Sequence, residues 1–74
     1  MTFICKSQLE CGTTENLILF EDFGNAIKWA QRNARSVPSI GGGKDVNYYT
    51  SVYQVYFGLP IDFSRPIKVF NPNQ

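Results

Sequence analysis

A chain of 74 residues with 43% hydrophobic, 15% aromatic and 18% charged side chains has the composition of one small globular domain, not of a disordered segment. Its formal net charge of +1 gives no bulk-charge reason to bind nucleic acid and excludes an acidic nucleic-acid mimic. At this length roughly 60% of the unfolded chain's surface is buried on folding, so such domains often lean on a disulfide, a metal or a partner.

Residues 2–7, TFICKS, are β-branched and aromatic before a polar end and predict a short strand. Cys5 falls within this alternating apolar run and reads as a small buried hydrophobe. Cys11 lies in the turn-like CGTT. Two cysteines make neither a disulfide framework nor a zinc site, and a Cys5–Cys11 bridge stays open. The opening MTFICKSQLEC lacks a basic start and meets Lys6 too early for a signal peptide. No apolar run is long enough to span a membrane, and a soluble cytoplasmic protein is expected. Residues 17–20, LILF, either pair with the first strand as a hairpin or lead into a helix; so short a run has no diagnostic period.

Phe23, Ala26, Ile27, Ala30, Ala34 and Val37 recur at helical spacing and predict one apolar helix face. Asp22 suits the N-cap and Pro38 blocks continuation, which places the helix over 22–36. Its alanines allow close approach to a sheet. On the outer face Lys28, Arg32 and Arg35 form a basic stripe without an intervening acid. The stripe suits phosphates or a carboxylate-rich surface, and it equally suits a solvated face that complements the helix dipole. Trp29 flanks the apolar face, either tucked over the sheet edge or partly exposed as an anchor.

The connector SVPSIGGGKD contains GGGK at 41–44. A phosphate-binding loop would need glycine at Pro38 and serine or threonine at Asp45, so no nucleotide site is expected. The next strand, over 46–57, holds all four tyrosines. Tyr49, Tyr53, Val55 and Phe57 point to one side, and Tyr48, Val52 and Tyr56 to the other. Gly58 and Pro60 end it, residues 67–70, IKVF, form a last strand, and 71–74 read as a frayed tail of a single 1–74 domain. The fold class is α+β: one small antiparallel β-sheet of three to four strands, in ββαββ or βαββ order, with one helix packed on one face.

One helix covers one sheet face, and the other is expected to show Tyr48, Thr50, Val52, Gln54 and Tyr56, joined by Lys68 and Phe70. A one-residue change of register would swap the two faces. The expected partner-binding set is Tyr48, Val52, Gln54, Tyr56, Lys68 and Phe70, with Lys28, Trp29, Arg32 and Arg35 as a second set on the helix. A tyrosine face flanked by Lys6, Lys44 and Lys68 also suits stacking on single-stranded bases, although no aromatic RNA-binding signature is present.

Catalytic parts are sparse. There is no histidine, and of the carboxylates Glu10, Glu15, Glu21, Asp22, Asp45 and Asp62 the one adjacent pair is explained by a helix start. No enzyme, cofactor or metal is expected. In size, missing active-site chemistry and aromatic surface, the chain resembles the small standalone α+β proteins with which phages and mobile elements inhibit host machines, anti-CRISPR and other anti-defence inhibitors among them. The resemblance covers no motif and carries over no residue. It implies an inhibitor or adaptor that occupies a surface on a larger protein or complex. The alternatives are a weak single-strand nucleic-acid binder and a homodimer that pairs open faces or edge strands.

Overall fold

The computed structural model describes residues 1–72. It contains β1 (Thr2–Leu9), β2 (Thr14–Phe20), α1 (Phe23–Asn33), β3 (Ser36–Val37), β4 (Val46–Val55) and β5 (Lys68–Phe70). The expected 71–74 tail falls at 73–74 outside the described residues.

The LILF run belongs to a hairpin. β2 pairs antiparallel with β1, setting Phe3 opposite Phe20, Cys5 opposite Ile18 and Lys6 opposite Leu17. The register slips between Ser7 and Gln8, where Glu15 is the extra residue of a bulge. Gly12, at φ 97°, makes the turn, a backbone state that few other residues adopt cheaply. β4 pairs antiparallel along the whole of β1. The order is β2-β1-β4-β3, with β5 also on β4. The result is a small antiparallel α+β sheet of five strands with one helix on it, as the sequence predicts in class.

The two lateral edges differ. Along β4 the outer edge is patched by short pieces. β3 pairs at Val46 and Asn47, Tyr48 N–H donates to the Arg35 carbonyl (2.8 Å), β5 pairs at 50–52, and Ile67 N–H donates to the Val52 carbonyl (2.8 Å). β2, at the other edge, has β1 as its one strand neighbour among the described residues.

The helix begins as expected. Asp22 is the N-cap, and its carboxylate accepts from the Asn25 N–H at 2.9 Å. It ends at Asn33, three residues short of the predicted 36. The Asn33 side chain donates to the Trp29 carbonyl, and Ala34 is already extended. The residue before a proline disfavours helix, so Val37 ahead of Pro38 is extended and the freed chain forms β3.

The core lies between α1 and one sheet face: Phe3, Cys5, Val52 and Phe70 against Ala26, Ala30 and Ala34, with Phe20, Ile27 and Trp29 packed around them. Two of the polar groups buried on this face are satisfied by helix carbonyls, and a third, the Ser7 hydroxyl, accepts from the Asn16 side chain. The Thr50 hydroxyl donates to Ala30 at 2.6 Å, and the Cys5 thiol to Ala26 at 3.4 Å.

These contacts correct the expected facing of β4. Thr50 and Val52 look toward the helix, and Tyr49 and Tyr53 look away. The reason is size. Alanines at 26, 30 and 34 bring the helix backbone close to the sheet, where threonine, valine and cysteine fit and a tyrosine ring does not. Val52 and Phe70, expected on the open face, are core residues, 0% and 7% exposed.

Ala30→Leu tests the close approach. Leucine is nearly as good a helix former as alanine, so any loss reports packing. Urea unfolding should show a loss of about 1–3 kcal/mol; unchanged stability would mean that the helix stands off the sheet.

Candidate functional site

The face of the sheet turned away from α1 is set by the pairing register. One row runs Leu19, Ile4, Tyr53, and the next runs Leu17, Lys6, Ser51, Val69. In the middle this face is covered by the chain that returns after β4. The Tyr53 hydroxyl donates to the Phe63 carbonyl at 3.0 Å, and the two rings meet edge to face at 5.1 Å. The Lys6 ammonium stands over both rings, at 5.7 Å and 5.2 Å from their centroids. Tyr53 is thereby only 3% exposed, and Ile4 beside it is also buried.

The turn that brings Phe63 back is held by Asp62. Its carboxylate accepts from the Ser64 N–H (3.0 Å) and hydroxyl (2.6 Å), and Arg65 lies 3.6 Å away. The Ser64 hydroxyl and amide, then Arg65, hold the Asp62 carboxyl below its ordinary pKa.

Around this covered centre apolar side chains stay in water. Leu17 is 52% exposed, Leu19 63%, Phe63 43% and Val69 46%. At one end of β4, Tyr56 and Leu59 are also exposed. They border a groove of about 360 Å³ whose polar lining includes Gln54, Asp62 and Arg65.

The residues expected as one tyrosine face are not brought together in solvent. Tyr48 is half-buried at the β3 end, with the Arg35 guanidinium 5.4 Å over its ring. Gln54 and Tyr56 lie near the other end of β4, where the Tyr56 hydroxyl donates to the Gln54 amide oxygen. Lys68 is exposed, with its ammonium 5.7 Å from the Phe70 ring. Of the four tyrosines only Tyr56 is an exposed ring, so the tyrosines do not form one exposed row on which single-stranded bases could stack, the alternative the sequence left open.

The basic stripe is also shorter than expected. Lys28 and Arg32 are exposed on α1, whereas Arg35 lies beyond the helix end and donates to the Asn33 side chain. Trp29 is tucked at the sheet edge, 6.2 Å from the Phe20 ring and half-buried. The glycine connector is exposed; Gly41 and Gly42 take positive φ, and neither meets a neighbouring atom where a side chain would start.

Sequence reasoning missed Leu17, Leu19, Phe63 and Val69. The signal was present for the two leucines, since LILF alternates around Ile18 and Phe20 and only one pair can face the helix. Phe63 lies in a loop with no period to read.

Both cysteines are free, Cys5 buried and Cys11 exposed in the turn. Burial pushes the Cys5 thiol up to about 11, whereas hydrogen bonds from the Thr13 side chain and backbone lower that of Cys11. Among the described residues no group of three or more histidine, cysteine or carboxylate side chains could hold a metal, and no helix is long and apolar enough to cross a membrane. Compared with known protein families, curated proteins and solved structures, the chain matches none.

The two thiols make a direct check on the burial pattern. Ellman's reagent should modify Cys11 quickly and Cys5 only on unfolding. Because the folded-state pKa of Cys5 lies above its ordinary 9.0, the unfolded chain loses that proton first. Stability should therefore fall as pH rises from about 9 through about 11, and Cys5→Ala should flatten that slope. Two equally fast thiols in the folded protein would contradict the buried placement.

Proposed function

We propose that this chain is a non-catalytic protein-binding module that works through the sheet face turned away from α1. The observation that carries the reading is the exposed apolar set on that face: Leu17, Leu19, Phe63 and Val69 remain in water around a centre that is otherwise packed. Exposed large apolar groups gathered on one face cost solubility, and they mark surfaces that are covered in the working state. Lys6 lies among them as a half-buried cation, and the Asp62–Arg65 pair lies at the border, an apolar centre with a polar surround. The helix face offers a weaker case, since Lys28 and Arg32 are an ordinary solvated pair. Inhibition of a larger complex is one way such a module would act. The narrower anti-defence role has no support from a matching family, relative or structure, so the proposal stays with the module.

The test compares proteins retained from the source cell by the immobilised wild-type chain with those retained by variants. Val69→Lys and Phe63→Ser should lose the same specific proteins, whereas Lys28→Ala and Arg32→Ala should keep them, with circular dichroism as the folding control. Loss on the helix variants with retention on the sheet variants would place the working surface on α1 and contradict the proposal.

A further inference from the structure

The edge strand β2 has a feature that partner binding by the sheet face does not use. Its outer row of backbone N–H and C=O groups is unmatched, because β1 is its one strand neighbour among the described residues. The opposite edge of the same sheet is closed by β3, by the Arg35 carbonyl and by β5. Protein sheets usually guard an open edge with lysine, proline, a covering loop or a bulge. In TENLILF the bulge at Glu15 guards only the beginning, and the regular stretch 16–20, NLILF, carries no charge and no proline.

We infer that β2 pairs antiparallel with β2 of a second copy of this chain, joining two five-stranded sheets into one. The occupant follows from the strand itself. A two-fold axis normal to the sheet beside Ile18 places Leu17 of each copy next to Leu19 of the other on the face away from the helices. On the helix face it places Ile18 against its own counterpart and Asn16 beside Phe20. Opposite residues of an antiparallel pair share a face, so Leu17, Ile18 and Leu19 meet apolar partners without a change of register, while Phe20 meets Asn16. Just beyond each end of this ladder Glu15 of one copy falls opposite Glu21 of the other, like charges that confine the pairing to residues 16–20. The symmetry puts both helices on the same side; each is centred over Cys5, Thr50 and Val52 on β1 and β4, and Trp29 reaches toward the seam, where it packs on Phe20 of β2. The pairing leaves Phe63 and Val69 of both copies uncovered on the face away from the helices.

Sedimentation equilibrium of the full chain from micromolar to millimolar concentration tests the inference. The wild-type protein should show a monomer–dimer equilibrium. Leu17→Lys puts two ammonium groups beside the seam and should weaken the dimer by about tenfold or more, a loss of about 1.4 kcal/mol. Val69→Lys, on the same face but at the far edge, should leave the dimer unchanged. Because Leu17 and Val69 are half-exposed, both variants should stay folded, with circular dichroism as the check. A strict monomer at every concentration would overturn the inference. So would a dimer that Val69→Lys dissociates as strongly as Leu17→Lys, since that result means pairing face to face.

Discussion

Cys5 and Thr50 reach up from the sheet to carbonyl oxygens of the helix, and they can do so because Ala26, Ala30 and Ala34 end at Cβ. The close approach of an alanine face is the constraint on which the rest of this molecule depends. It selects what stands opposite: a cysteine, a threonine and a valine at the centre, with larger rings at the margins, where Phe3 meets Phe23 and Phe20 meets Trp29. It also fixes the orientation of β4. Once Thr50 and Val52 are committed to the helix, alternation sends Tyr49 and Tyr53 to the other side.

Among the described residues that other side carries no helix, and it is covered only in part. Tyr53 anchors Phe63 with a ring contact and a hydrogen bond, and the turn at Asp62 makes the return possible. What the return segment does not reach is left in water, on β2 and on β5. The same economy shapes the edges. Residues after the helix and in β5 are spent on patching β4, and among the described residues β2 receives no such cover. An apolar face and an open edge therefore meet on one strand, at Leu17 and Leu19. The described residues place no further layer over them.

Much of the fold is legible from residue order. The helix start at Asp22, the alanine face, the tyrosine strand and the last short strand all follow from spacing and punctuation. The α+β class follows from their order. The site is less legible, for one physical reason. β4 carries aromatic residues on both sides, so hydrophobic alternation alone cannot say which side meets the helix. The deciding clue is volume: an alanine-faced helix calls for small residues opposite, and Thr50 and Val52 are the small ones. Two further features have no local signal. β3 exists because the helix stops at Asn33, Pro38 keeps Val37 extended and Val46 lies within reach, and Phe63 is brought against Tyr53 by a loop whose path is set by the Asp62 turn.

The orientation of β4 is the claim from which the exposed face, its covering segment and its free leucines all derive. Proton–proton contacts measured by nuclear magnetic resonance test it most directly. The Ala30 methyl group should show close contacts to Val52 and Thr50, and the Tyr53 ring should show them to Phe63. Contacts from the Ala30 methyl to Tyr53 or Tyr49, with none to Val52, would turn the strand over and contradict the account.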